Sequence, residues 1–144
     1  GADRFGSQCI VLGTQVKYEG ESDMFPSGYQ VYIDGARVAT GKDAVQWCVE
    51  AQERGAGEVC VNSIDADGTE AGYDITITRM ISEAVSIPVI ASGGAGTPAH
   101  MAAVLTRGKA DAALIASMVH FGKYSIAGIK EYLADRELPI RTKW

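Results

Sequence analysis

Two short apolar strands that both end in small residues constrain the fold of this chain more than any other feature. Residues 87–96 read IPVIASGGAG, and residues 110–117 read ADAALIAS. Thr97 and Pro98 follow the first segment and are typical of a helix N-cap and a first helical position. A strand, a glycine-rich turn and a helix N-terminus together expose unpaired backbone N–H groups, and such a turn suits a phosphate.

The rest of the chain alternates strand-like and helix-like segments. Strands are predicted at residues 7–16, 57–64, 87–92 and 111–117, and helices at residues 42–55, 74–85, 98–107 and 125–135. Because short connections join them, this alternation predicts a parallel sheet with right-handed crossovers. Residues 18–41 are predicted as a long loop, within which YQVYID can form a small hairpin strand. A helix end before residue 7, a turn or short helix at 117–122 and a tail from residue 138 complete the prediction.

The predicted fold class is α/β: one domain, residues 1–144, forming a (β/α)4 half of a (β/α)8 barrel. Neighbouring strands with phosphate-type turns match the seventh and eighth strands of such barrels, and a whole barrel takes about 250 residues. The four helices are expected on one face of a parallel, apolar sheet. A second half or a second copy of the chain would therefore complete the barrel. A flavodoxin-like open sheet is the alternative, and it would need helices on both faces.

Composition and charge argue against several classes of partner. The net charge of −5 disfavours nucleic acid and anionic membranes. No apolar run reaches the roughly 18 residues of a membrane span, and the charged start GADRFGSQ is unlike a signal peptide, so we expect a cytoplasmic protein. Cys9, Cys48 and Cys60 lack metal-type spacing and are predicted to be buried free thiols. No cofactor and no metal are predicted.

Small and polar residues at the predicted C-terminal ends of the strands form the candidate site. The predicted phosphate-binding residues are Gly93, Gly94, Ala95, Gly96, Ala116 and Ser117. Asp65 and Asp67 are either residues that stabilise a turn or pocket carboxylates suited to acid–base chemistry. His100 and His120 are predicted to have surface or packing roles.

Four segments resemble the C-terminal half of the cyclase subunit of imidazole glycerol phosphate synthase: FGSQCIVL, GAGEVCVNSIDADGTEAGYD, IPVIASGGAG and ADAALIASMVHF. That family is a (β/α)8 barrel of two similar halves and works in histidine biosynthesis. The stretch SGYQVYIDGARVATG is also similar to a relative of the cyclase that serves polysaccharide aminosugar synthesis. The sister isomerase of histidine biosynthesis is a weaker match.

The resemblance implies an ammonia-dependent cyclase and lyase reaction on a bis-phosphate substrate, with a glutaminase partner. Two family aspartates act as general acid and base. One of them falls at Gln15, which cannot gain or lose a proton, and the other belongs to the missing half. Asp65 and Asp67 are therefore the possible substitutes. A substrate-contacting family threonine falls at Asn62.

Other positions agree with the family pattern. Substrate-contacting or phosphate-contacting positions are occupied unchanged by Asp67, Gly93, Gly94, Ala116 and Ser117. Lys17 stands where the family has its lysine. Glu58 matches one member of the family's charged ammonia gate.

Two functional hypotheses follow from these observations. In the first, the chain is a half-barrel that pairs with itself through its first and fourth strands, binds a phosphate or a phosphorylated sugar, and has little or no cyclase turnover. In the second, it is the C-terminal part of a split or truncated cyclase that needs an N-terminal half. A Gly94→Val side chain is expected to occupy the position of the anion.

Overall fold

The computed structural model describes residues 1–142, and a six-stranded sheet lies at its centre. The strands are β1 (Val11–Tyr18), β2 (Tyr29–Ile33), β3 (Val38–Asp43), β4 (Glu58–Ser63), β5 (Val89–Ser92) and β6 (Ala112–Ala113). Their order in the sheet is β3-β2-β1-β4-β5-β6. β1, β4, β5 and β6 are parallel, whereas β2 and β3 form an antiparallel hairpin on the outer edge of β1. The predicted α/β class with a mostly parallel sheet is confirmed.

Most helices begin at polar residues that cap them. The helices are α1 (Ala2–Phe5), α2 (Ala44–Glu53), α3 (Ile75–Ala84), α4 (Pro98–Thr106), α5 (Ser117–His120) and α6 (Ile126–Ala134). Asp43, Asp74, Thr97 and Ser125 accept hydrogen bonds from backbone N–H groups in the first turns of α2, α3, α4 and α6. These side chains replace the hydrogen-bond partners that the first turn of a helix lacks.

The two faces of the sheet differ in burial. On the helix side, Val59 and Val61 of β4 are buried and pack with Ile77 and Ile81 of α3. The alternate residues of β4 point to the other face and are only half-buried. Side chains alternate between the faces of a strand, so one face of the sheet carries the core and the other is open along β4.

Within the predicted long loop at residues 18–41, the small hairpin strand expected at YQVYID is confirmed as β2, but the loop prediction is wrong at its end, which contains the start of β3. β2 pairs antiparallel with the C-terminal part of β1, in the register Gln15↔Tyr32 to Tyr18↔Tyr29. β2 lies on the edge of β1 opposite to β4, so the hairpin satisfies backbone groups on that edge that β4 does not reach. The helix predicted from residue 42 begins at Ala44, since Asp43 ends β3 and caps α2.

The predicted first strand starts later in the structure, and Cys9 is exposed rather than buried. A 3-10 turn at Ser7–Cys9 precedes β1. Gly57 lies against this turn so closely that a Cβ there would overlap the carbonyl of Ser7. This close crossing of two backbones favours a turn over an extended strand. Of the other thiols, Cys48 is buried and Cys60 is half-buried.

The predicted last strand, residues 111–117, is reduced to Ala112–Ala113. Side chains take over backbone groups at this edge of the sheet. The Tyr73 hydroxyl donates to the Leu114 carbonyl (2.8 Å), and the Asp111 carboxylate accepts from the Val89 N–H (2.8 Å). In the tail, Leu138 and Ile140 pack against the α4–α6 part of the core, and residues 143–144 lie outside the described chain. Within residues 1–142, no helix has the length and apolar character of a membrane span.

Candidate anion-binding site

A cleft of about 160 Å³ lies at the C-terminal ends of β4, β5 and β6. Its lining comprises Asp67, Gly68, Glu70, Ser92, Gly93, Gly94, Ala95, Leu114, Ala116 and Ser117. Loops that follow three adjacent parallel strands therefore meet in one place, as they do in other parallel α/β proteins. Of the predicted phosphate-binding set, the structure places five residues here, Gly93, Gly94, Ala95, Ala116 and Ser117, together with Asp67.

The glycines of the turn after β5 are needed for its contact with residues 65–72, the loop after β4. The Gly72 N–H donates to the Gly94 carbonyl at 2.7 Å. A Cβ at Gly94 would overlap the Gly72 carbonyl, and a Cβ at Gly96 would overlap the Glu70 carbonyl. The expected effect of Gly94→Val is therefore wrong. Its side chain would collide with the neighbouring loop instead of occupying the position of an anion.

Gly96 differs from its neighbours, because its N–H group already has a partner. It donates to Nδ1 of His100 at 3.1 Å, within the first turn of α4. Gly96 also does not line the cleft. The predicted role of Gly96 as a phosphate donor therefore conflicts with the structure, and His100 has a local packing role.

The two aspartates of the loop after β4 have different surroundings. Asp65 accepts a hydrogen bond from the Tyr18 N–H at 2.9 Å and so ties the end of β1 to this loop. Asp67 lines the cleft, and its Oδ2 atom lies 3.5 Å from Nδ2 of Asn62. Asp65 therefore has the first of its two predicted roles, the stabilisation of local structure, whereas Asp67 is placed to contact a ligand.

Gln15 lies outside this cleft, in a second one of about 410 Å³ beneath the β2–β3 hairpin. Asn62 is its neighbour on β4, and Tyr32 and Asp34 contribute from the hairpin. The side-chain oxygen of Gln15 is buried, and it has no hydrogen-bond partner among the described residues. The predicted catalytic position is therefore adjacent to Asn62 but separate from the cleft that contains Ser117.

Other predicted positions lie away from the cleft as well. Lys17 pairs with Glu19 at 3.6 Å. Glu58 lies at the N-terminal end of β4, opposite the end that carries the cleft. Neither residue lines the cleft.

Sequence reasoning missed the ion pair between Glu70 and Lys123. Their side chains are 2.5 Å apart, and Glu70 lines the cleft. The hydrogen bond from Lys123 lowers the pKa of the Glu70 carboxyl, and a hydrogen bond from Ser117 adds to this effect. Only the position of residue 70 within a loop at a strand end could have suggested a site role, since Lys123 is distant in sequence.

The full role of Asp74 was also missed, because the sequence indicated only a helix cap. Its carboxylate accepts from the Tyr29 hydroxyl at 3.1 Å and from the Ser63 hydroxyl at 3.2 Å. Burial raises the pKa of Tyr29, and the charge of Asp74 raises it further. Asp74 therefore joins the hairpin, the end of β4 and the start of α3.

The site is formed by backbone and polar side chains. Across residues 1–142, no group of three or more histidine, cysteine, aspartate or glutamate side chains could hold a metal ion. The arrangement can bind a ligand through hydrogen bonds and through its charged side chains.

Comparison with known proteins supports one family. The family model described as "Histidine biosynthesis protein" matches residues 1–125. The chain belongs to this family. It is 59% identical over 144 residues to the imidazole glycerol phosphate synthase subunit HisF of Desulforapulum autotrophicum, and 60% identical to the HisF subunits of Syntrophobacter fumaroxidans and Desulfosudis oleivorans. Each match covers 100% of this chain and 56% of the relative.

The chain thus spans about half the length of the curated relatives that it matches. The predicted relation to imidazole glycerol phosphate synthase is confirmed. A share of 56% does not distinguish one half of the relatives from the other. The assignment to the C-terminal half therefore stays a prediction.

Proposed function

We propose that the chain is a half-barrel that binds a phosphate or a phosphorylated sugar-like ligand in the cleft after β4, β5 and β6. The observation that carries this proposal is the convergence of three strand-end loops on one cleft, two of them held together by glycine contacts. Fixed loops keep a binding site in shape before the ligand arrives, which lowers the cost of binding.

A charge placed in the cleft tests this proposal. Ala116 is exposed and lines the cleft, so Ala116→Glu adds a negative charge there without removing a buried group. Ala127→Glu, on an exposed position of α6, is the matched control. Titration calorimetry with inorganic phosphate should give binding to the parent and to the control, and at least tenfold weaker binding to Ala116→Glu. Equal affinity of all three proteins would place the site elsewhere.

We further propose that cyclase turnover by this chain alone is negligible. The general acid–base position of the family falls at Gln15, and general acid–base catalysis is worth about 10²–10⁴-fold for each group. Asp67 and Asp65 are the nearest alternatives, but Asp65 is engaged by the Tyr18 N–H. Turnover should stay at background with ammonia or with a glutaminase partner, and Gln15→Asp should raise it if the bis-phosphate binds. Parent turnover like that of a full-length cyclase would overturn this part.

We propose that the chain corresponds to the C-terminal half of its relatives. In (β/α)8 barrels, phosphate is commonly held by the loops after the seventh and eighth strands, which fits the turns after β5 and β6. The alternative hypothesis, a split cyclase, gains support from the 56% coverage of the relatives. Mixing the chain with separately produced halves of a relative tests both ideas. A 1:1 complex with the relative's N-terminal half is expected, and a complex only with its C-terminal half would reverse the assignment.

We propose that, without such a partner, two copies of the chain associate. The barrel would close through β1 and β6 of the two copies, and the open face of each sheet would line the interior of that barrel. β2 covers the outer edge of β1 at Gln15–Tyr18, so a partner strand can pair there only along residues 11–14. Closure should bury more than the ~1,600 Å² of a standard interface. Sedimentation at micromolar concentration should give a dimer, and a stable, well-folded monomer would refute it.

A further inference from the structure

We propose that the Glu70 carboxylate occupies the anion position of the cleft in the ligand-free chain and thereby sets its affinity for phosphate. Glu70 would then be a specificity-determining residue that an incoming anion must displace. This inference rests on the proposed binding of phosphate in the same cleft.

The position of Glu70 is built into the fold. Its backbone has a positive φ of 55°, a conformation that is uncommon for residues other than glycine. The absence of a side chain at Gly96 leaves room for the Glu70 carbonyl, and the Gly72–Gly94 hydrogen bond fixes the same loop two residues later. The Glu70 backbone is therefore held beside the cleft by the close approach of Gly96 to its carbonyl and by the hydrogen bond at Gly72, two residues later.

The partners of Glu70 are those that a phosphate would use. Lys123 donates to Oε2 of Glu70 at 2.5 Å, and Ser117, which lines the same cleft, helps to lower the pKa of this carboxyl. An ammonium group and a hydroxyl are common donors to phosphate oxygens. The carboxylate thus presents the same type of charge and the same acceptor atoms as the proposed ligand.

The charges around the cleft favour a competition of this kind. The ionisable side chains among its described lining residues are Asp67 and Glu70, which are both acidic. Lys123, from the segment after α5, is paired with Glu70. When a phosphate enters, it would replace Glu70 as the partner of the Lys123 ammonium. The Glu70 carboxylate would then turn outward into solvent, to which its side chain is already 37% exposed.

A charge-removing substitution tests this inference. In Glu70→Gln the shape is kept and the charge is lost, so phosphate no longer competes with a carboxylate. We expect roughly 3- to 30-fold tighter binding of inorganic phosphate, since the interaction is partly screened by solvent. In Lys123→Met binding should weaken, and Glu70→Gln/Lys123→Met should bind more weakly than Glu70→Gln alone.

Glu83→Gln is the matched control, because Glu83 forms a similar exposed ion pair with Lys109 on the helix side of the fold. Its affinity for phosphate should equal that of the parent. If the parent binds phosphate and Glu70→Gln binds it equally well or more weakly, the inference is wrong while the phosphate site stands. If neither the parent nor Glu70→Gln binds phosphate, both proposals fail. Binding by Glu70→Gln alone would support the inference about Glu70 and would contradict the proposed binding of phosphate by the unaltered chain.

Discussion

The two faces of the sheet are built on different principles, although the same strands contribute to both. The helix-side face presents Val59 and Val61 to fully buried isoleucines of α3. The opposite face presents Gln15, Cys60 and Asn62, which are only half-buried. The open face is thus mixed in polarity, and the expectation of an entirely apolar sheet is wrong for it.

This difference shows that helices of the same chain cover the helix-side face, whereas the side chains of the opposite face stay partly exposed to solvent. Burial of apolar surface is worth about 25 cal/mol for each Å² removed from water, and the helix-side face gains this stabilisation within the chain. The open face gains it only if another layer covers it. The free energy of unfolding that is lost when a side chain is truncated on each face therefore shows whether the open face is covered in solution.

The largest expected effect comes from truncating an isoleucine on each face. Ile81 of α3 is fully buried between its helix and the helix-side face of the sheet, so Ile81→Ala should lower the free energy of unfolding by about 2–5 kcal/mol. Ile90 of β5 is half-buried on the open face, and Ile90→Ala should cost less than half as much in a monomeric chain. Urea denaturation measures both values. Equal losses would show that the open face is covered in solution.

A polar residue of each face gives the next largest effect. The Asp43 carboxylate is 3% exposed and accepts from the N–H and the hydroxyl of Ser27 and from the first turn of α2. Asp43→Ala should cost about 1–3 kcal/mol, because buried donors lose their acceptor. Gln15→Leu should be nearly neutral or stabilising, since the Gln15 oxygen is buried and without a partner among the described residues. Thermal unfolding monitored by circular dichroism tests this contrast, which a destabilising Gln15→Leu would contradict.

The buried thiol of the helix-side face predicts a dependence on alkaline pH. Burial, with a smaller contribution from Asp43, raises the pKa of Cys48 to about 12. The unfolded chain releases this proton near pH 9, so stability is full below that pH and falls as the pH rises towards 12. The slope from this group is on the order of 1 kcal/mol per pH unit. The free energy of unfolding of Cys48→Ala should therefore fall less steeply above pH 9 than that of the parent. Identical pH profiles of stability for the two proteins would refute the assignment of this effect to Cys48.

The smallest effect is a change in the rate of thiol alkylation. Cys9 is exposed, Cys60 is half-buried on the open face, and Cys48 is buried. Alkylation should follow that order, as read by mass spectrometry of the labelled peptides. If the open face is covered by another copy, Cys60 should react more slowly as the protein concentration rises, while Cys9 should not. A Cys60 rate that is independent of concentration would argue against that association.

The local features of the fold could be predicted from the sequence. The starts of α3 and α4 follow from Asp74 and from Thr97 with Pro98, because capping and helix periodicity act within a few residues. The loops of the cleft could be placed at strand ends for the same reason. The helix-side core followed from continuous apolar strands.

Contacts between distant segments could not be predicted. The Glu70–Lys123 pair joins residues 53 positions apart, and no local pattern indicates which lysine meets which glutamate. The pairing of β2 with β1 also joins segments separated along the chain, as in Gln15↔Tyr32, on the edge of β1 opposite to β4. The collision expected at Gly94→Val with Gly72 likewise needed the positions of two backbones.

The β2–β3 hairpin has a consequence for how copies of this chain can associate. A parallel sheet with one free edge on each side could add copies head to tail without limit, which is how non-closing contacts produce fibres. The hairpin occupies the outer edge of β1 at residues 15–18 and turns that end of the edge into an antiparallel one. A further copy that pairs directly with β1 therefore meets only residues 11–14, and beyond them the outermost strand of the sheet is the antiparallel β3, so head-to-tail addition in parallel register is confined to that short segment.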